Sequence, residues 1–170
     1  MTVQEFKEKY SQNISFMKEQ YRRKNADYGN SFSKNFIEYG FVSSLIRLDD
    51  KINRYHQLKD SGIQNVKDES IKDTLIDCAS YSLMSIGEVW AEDIDLIDRD
   101  MPELFDQVIE HIEFNDSYED SVIENFMKFD DDDIAILFRQ LKYYFKNSGE
   151  INVGDLTAIA FACVSIASKM

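Results

Sequence analysis

Residues 68–90 read DESIKDTLIDCASYSLMSIGEVW, and this stretch decides the fold. The pattern predicts a helix from about Asp68 to Trp90, because apolar and small residues recur at the spacing of one helix face: Ile71, Leu75, Cys78, Ala79, Ser82 and Ile86. No charged residue lies between Cys78 and Gly87. A helix segment without charge around its circumference is buried on all sides, so the second half of this helix is predicted to lie at the centre of the core.

Two more helices are predicted before this stretch. The first runs from Val3 to about Asn25 and ends near Gly29, a residue that can adopt a positive φ at low cost. The second runs from about Asn35 to Lys59. Its apolar stripe consists of Phe41, Leu45, Leu48, Ile52 and Tyr55.

Further helices are predicted near residues 102–114, 117–128, 131–147 and 153–169, from start signals at Pro102, at Ser117 and in the acidic run 130–133. One proline and six glycines in 170 residues leave few helix breakers. We therefore predict an all-α fold, a helical bundle of about six to seven helices. Residues 1–92 are expected to form one helical domain, and residues 93–170 a helical C-terminal extension packed on it.

The composition excludes several classes of function. A net charge of -13 argues against a binder of duplex nucleic acid or of anionic membranes. The first 20 residues have no apolar core typical of a signal peptide, so we expect a cytoplasmic protein, in the host cell cytoplasm if the chain is encoded by a phage. Cys78 and Cys163 lie in apolar helical patterns and are predicted to be inert core thiols. We also expect a homo-oligomer, with the uncharged final helix as a candidate interface.

Charged residues on the second and third helices suggest a binding site. On a helical wheel Arg47, Asp50 and Arg54 lie together, with Lys51 beside them. On the third helix Glu69, Asp73 and Asp77 form a row of carboxylates at a spacing of four residues, which is unfavourable unless a cation lies nearby. The plain alternative is an interhelical salt-bridge network that binds nothing.

Carboxylates from adjacent helices are suitable ligands for Mg²⁺, which usually shares its coordination with substrate phosphates. The predicted metal ligands are Asp50, Glu69, Asp73 and Asp77, and the predicted phosphate-binding residues are Lys24, Arg47, Lys51 and Arg54. Tyr28 and Phe32, beside the turn at Gly29, are candidates for stacking a base, although packing at a helix corner also explains them.

Three ordered blocks carry a family resemblance: KNADYGNSF at 24–32, LIRLDDKINR at 45–54 and DESIKDTLIDCASY at 68–81. Together they resemble the nucleotide modification associated domain 1 family, found largely in bacteriophages and bacteria, over roughly residues 15 to 86. The resemblance implies a helical domain linked to nucleotide metabolism.

The helical layout is also similar to the MazG and dimeric dUTPase class of all-α nucleotide pyrophosphatases, in which acidic pairs on two helices hold magnesium. That class has Glu-x-x-Glu followed by Glu-x-x-Asp. The corresponding positions here read Asp49-Asp50 and Glu69-x-x-x-Asp73.

Three functions are compatible with these patterns. The first is a Mg²⁺-dependent hydrolase, a pyrophosphatase acting on a nucleoside triphosphate or a modified one, with Asp50, Asp73 and Asp77 as catalytic residues. The second is a non-catalytic phage protein that sequesters a nucleotide or a nucleotide-derived small molecule such as a host defence signal. The third is a helical interaction module without a small ligand.

Overall fold

The computed structural model describes residues 1–66, 69–112 and 118–170. This part of the chain forms eight α-helices and a short 3-10 helix at Leu96–Asp98, with no β-strand among the described residues. The helices are α1 Val3–Tyr28, α2 Ser31–Tyr39, α3 Val42–Ser61, α4 Ile71–Trp90, α5 Met101–His111, α6 Asp120–Phe126, α7 Asp131–Ser148 and α8 Val153–Ser168. The all-α prediction is confirmed, with slightly more helices than predicted.

Helix α4 lies at the centre of the bundle. It packs most extensively against α8 and next against α3, while α8 also contacts α7 and α1. Leu83 and Ile86 on α4, and Ile159 and Val164 on α8, are fully buried. Burying an aliphatic side chain of this size contributes roughly 1.5–3 kcal/mol, so the charge-free half of α4 is a major source of stability.

The second half of α8, which was predicted as a candidate oligomer interface, packs within the single chain. Its residues from Phe161 to Ser168 are all buried. This half of the helix therefore belongs to the core of the chain. Its Cys163 and the neighbouring Cys78 are both buried free thiols. A hydrogen bond with Cys78, together with burial, raises the pKa of Cys163 well above its ordinary value, so this thiol stays protonated.

The helix predicted from Asn35 to Lys59 is two helices. Helix α2 ends at Gly40, whose backbone has φ 69° and ψ -166°, and α3 begins at Val42. This backbone region is essentially restricted to glycine. The break turns the buried Phe41 ring toward α7, where it meets Phe145 edge to face at a centroid distance of 5.1 Å.

The other predicted boundaries that fall on described residues agree to within a few residues, and three further boundaries lie outside the described residues. Asp68 as a helix start, residue 114 as a helix end and Ser117 as a helix start belong to this last group. The acidic run was predicted correctly as a helix start, because the Asp130 side chain accepts hydrogen bonds from the backbone N–H groups of Asp132 and Asp133.

The predicted domain boundary near residue 92 falls between α4 and α5. Buried residues on both sides of it belong to one hydrophobic core, which includes Leu83 and Ile159. Among the described residues, no helix combines the length and the apolar character required to cross a membrane.

We expect Gly40→Ala to lower the free energy of unfolding by about 1–3 kcal/mol, because a residue with a Cβ is strained in this backbone conformation. A Cβ at residue 40 meets no heavy atom within 4 Å, so the loss comes from the backbone and not from a clash. Urea unfolding followed by circular dichroism measures the change.

The matched control is Gly87→Ala within α4, where the new Cβ makes an ordinary 3.5 Å contact with Leu104. This variant should be neutral or stabilising by up to about 1 kcal/mol. If both variants lose the same free energy of unfolding, backbone strain at residue 40 does not explain the effect of Gly40→Ala.

Candidate functional site

A cavity of about 730 Å³ opens where the end of α1 and the first turn of α2 meet one flank of α3 and the first half of α4. Its volume lies in the range typical of small-molecule sites. The structure brings most of the predicted site residues to this cavity. Those lining it are Lys24, Tyr28, Phe32, Arg47, Lys51, Glu69, Asp73 and Asp77.

Asp77 is the electrostatic centre of the cavity. Its two carboxylate oxygens each accept a hydrogen bond of 2.7 Å, Oδ1 from Lys24 Nζ and Oδ2 from Lys51 Nζ. Burial alone would raise the pKa of Asp77, but the two ammonium groups outweigh that effect and lower the pKa below its ordinary value. Asp77 is therefore a carboxylate that holds one lysine from α1 and one from α3.

Arg47 lies one helical turn before Lys51 on α3. It contacts an aromatic ring, whereas Lys51 pairs with a carboxylate. Its guanidinium carbon lies 5.5 Å from the centroid of the Tyr81 ring. In the described ranges Arg47 has no ion-pair partner. Arg47 is thus a cation of the cavity whose charge no carboxylate neutralises.

The two predicted base-stacking residues differ in exposure. Tyr28 is 73% exposed at the rim of the cavity, whereas Phe32 is only 7% exposed. The Phe32 ring stacks on Tyr81 with centroids 6.0 Å apart. Phe32 therefore supports Tyr81 and has little free ring surface to offer to a base.

The sequence patterns missed Tyr81 as a cavity residue. It follows Asp77 by four residues and so continues the row of Asp73 and Asp77 on the same face of α4, whereas Glu69, predicted to begin this row, precedes the helix. The spacing of four residues between Asp77 and Tyr81 could therefore have identified Tyr81 as a cavity residue from the sequence.

Two of the carboxylates are engaged locally. Asp73 completes the N-terminal capping box of α4, since its Oδ2 accepts hydrogen bonds from the backbone N–H and the hydroxyl of Ser70. Glu69 pairs with Arg54, which also donates to the Glu69 carbonyl oxygen at 2.8 Å. Arg54 is held in this pair and is not among the residues that line the cavity.

Asp50 does not take part in the site, contrary to the prediction. Its side chain is exposed and lies outside the cavity lining. On the α3 wheel Asp50 is about 160° from the buried Leu48, whereas Lys51 is only about 60° from it. The cavity meets the flank nearest the core, so it receives Arg47 and Lys51 while Asp50 faces solvent.

The four predicted magnesium ligands lie apart or are engaged by other groups of the protein. In the part of the chain that the structure describes, no three His, Cys, Asp or Glu side chains are close enough together to hold a metal ion. Asp77 is bound by two lysines, Asp73 caps α4, Glu69 pairs with Arg54 and Asp50 lies outside the cavity. These four carboxylates do not fit a shared Mg²⁺ ion.

A buried ion pair fixes the first turn of α2, which forms one wall of the cavity. The Ser33 hydroxyl donates to Glu88, and Arg99 Nη1 donates to the other oxygen of Glu88 at 2.6 Å. Both side chains of the ion pair are at least 95% buried. Burial raises the pKa of Glu88 despite the opposing effects of Ser33 and Arg99.

The fold and the cavity define an all-α protein with a cavity lined by three cations and three carboxylates. Residues 24–88 match the family model described as nucleotide modification associated domain 1. The match confirms the resemblance predicted from the three sequence blocks, and it includes Lys24, Arg47, Lys51, Asp77 and Tyr81. No curated protein and no solved structure matches the chain.

We expect Arg99→Met to lower the free energy of unfolding at pH 7 by about 3–5 kcal/mol, because it leaves the Glu88 carboxylate buried without its cation. Burial holds the pKa of Glu88 above its ordinary value of 4.5. An acid whose pKa is raised by folding destabilises the fold as the pH rises through the folded pKa. The loss should therefore shrink as the pH falls from 7 toward 4.5, where Glu88 becomes protonated in the folded variant, and urea unfolding at several pH values measures this.

Arg54→Met is the matched control, since it breaks the Arg54–Glu69 pair, in which the Glu69 side chain is 55% exposed. Its loss should be at most about 1 kcal/mol. A loss in Arg99→Met that is independent of pH would contradict the role given to Glu88.

Proposed function

We propose that the protein binds a nucleotide, or a phosphorylated small molecule derived from one, in this cavity. The main support for the proposal is that Lys24, Arg47 and Lys51 line one cavity, although the net charge of the chain is -13. A concentration of cations in an acidic protein supports a role in binding an anion.

Lys24, Lys51 and Arg47 are the proposed phosphate-binding residues. Ammonium groups bind phosphate as point charges, and a guanidinium can contact two phosphate oxygens at once. The first turn of α2, which also lines the cavity, adds the favourable end of a helix dipole. The Asn30 side chain makes no capping bond to this turn.

The rest of the lining is suited to a nucleoside. The exposed Tyr28 ring at the rim offers a stacking surface for a base, in line with the sequence-based prediction. Gln20, Asn25 and Asn30 line the cavity, and no residue of the described segments hydrogen-bonds to their side-chain amides. Amides both donate and accept, which suits the edge of a base.

The carboxylate arrangement supports sequestration of the ligand over hydrolysis, because Asp77 is engaged by two lysines and Glu69 by Arg54. A phage protein that removes a nucleotide signal of its host is one function of this kind. Hydrolysis by a MazG-like pyrophosphatase is the second candidate. It is supported by Asp73, which lines the cavity and whose Oδ1 makes no hydrogen bond within the described segments, because such an oxygen can accept a proton from water.

We expect Lys51→Met and Arg47→Met each to weaken nucleotide binding about 10- to 100-fold, the effect of losing one charge-assisted hydrogen bond of about 1.5–3 kcal/mol. Isothermal titration calorimetry with a panel of nucleotides measures the affinities. Lys146→Met, which removes a cation from the exposed end of α7, is the control and should bind like the original chain. Equal affinities in all three variants would exclude the cavity as the binding site.

We expect nucleotides to raise the melting temperature of the protein both with Mg²⁺ and with a chelator, without release of product. Thermal shift and chromatography of the reaction mixture measure both results in parallel. Turnover that requires Mg²⁺ and is lost in Asp73→Asn would instead establish the hydrolase. If no nucleotide raises the melting temperature, the helical interaction module without a small ligand is the remaining candidate function.

A further inference from the structure

The cavity contains a group of four charged side chains, Lys24, Arg47, Lys51 and Asp77, here called the cation cluster. Asp77 is shared by two lysines at 2.7 Å each, so these three side chains have a combined charge of +1. Arg47 adds a further positive charge that no carboxylate of the described ranges neutralises. The cation cluster therefore has a net charge of +2.

The two other carboxylates of the lining do not increase the positive charge of the cavity. Glu69 is neutralised by Arg54, and Asp73 contributes a negative charge at the start of α4. A ligand with a charge well beyond -2 would exceed the charge of the cation cluster and would lie next to Asp73. Such excess charge is unfavourable in a partly buried site, where electrostatic interactions are less screened than in water.

From this balance we infer that the cavity selects a ligand with a single phosphate monoester, such as a nucleoside monophosphate, and that Asp77 sets this preference. A phosphate monoester carries a charge of about -1.5 to -2 at pH 7, which matches the cation cluster. Each further phosphate of a diphosphate or triphosphate adds negative charge without a partner. The inference rests on the proposed function, because it concerns the ligand of the same site.

Asp77 is a specificity-determining residue in this view, because it reduces the charge of three cations to that of two. It also orients the two lysines before the ligand arrives, since both ammonium groups are already hydrogen-bonded to one carboxylate. Preorganisation of this kind lowers the entropy lost on binding. Replacing Asp77 by asparagine keeps the shape of the side chain and raises the charge of the cation cluster to +3.

Calorimetry of one nucleoside as its monophosphate, diphosphate and triphosphate, in buffer with a chelator, tests the inference. The original chain should bind the monophosphate at least about tenfold more tightly than the triphosphate, a difference of about 1.4 kcal/mol. In Asp77→Asn the affinity for the triphosphate should rise relative to that for the monophosphate. Glu124→Gln, which removes one negative charge from α6 outside the cavity, should leave the ratio unchanged.

The outcomes separate the two proposals. If the original chain binds the triphosphate as tightly as the monophosphate, the inferred preference is wrong, but the proposal of nucleotide binding stands. This measurement needs no variant. A ratio that is the same in Asp77→Asn and in the original chain also overturns the inference. Failure of the original chain to bind any nucleotide of the panel used to test the proposed function overturns that function itself.

Discussion

The packing of the charge-free half of α4 against α8 and α3 is the constraint on which the rest of the structure depends. Because most of this half is buried against α8 and α3, the rotation of α4 about its axis is fixed by its apolar residues. The polar row that begins with Asp73 and continues through Asp77 to Tyr81 must then face the end of α1 and the flank of α3. The cavity is a consequence of this orientation.

The shared carboxylate of Asp77 explains how two lysines from different helices remain close together in one cavity. Without an anion between them their ammonium groups repel each other, and each long side chain retains rotamer freedom that is costly to remove. Asp77 neutralises part of that repulsion and orders both side chains. The lowered pKa of Asp77 means that this arrangement persists at neutral pH and weakens only in acid, as the carboxyl group protonates.

Helical spacing alone predicted most of this architecture, because residues four apart on a helix lie on the same face. That rule brought Arg47 and Lys51 together, and likewise Asp73 and Asp77. It did not determine which flank of α3 borders the cavity, so Asp50 was included wrongly. It also did not detect the break at Gly40, because a single glycine is tolerated within a helix and only the packing of Phe41 against α7 shows that the chain turns there.

The family match ends at Glu88, yet the site depends on residues beyond it. Glu88 accepts a hydrogen bond from Ser33 in the first turn of α2, and its buried charge is neutralised by Arg99, which lies outside the matched residues. A buried carboxylate without a cation is strongly destabilising. Helix α8, also outside the match, covers the apolar face of α4. Residues 24–88 therefore contain most of the side chains of the cavity, but the remainder of the chain supplies the packing and the countercharge that hold them in position.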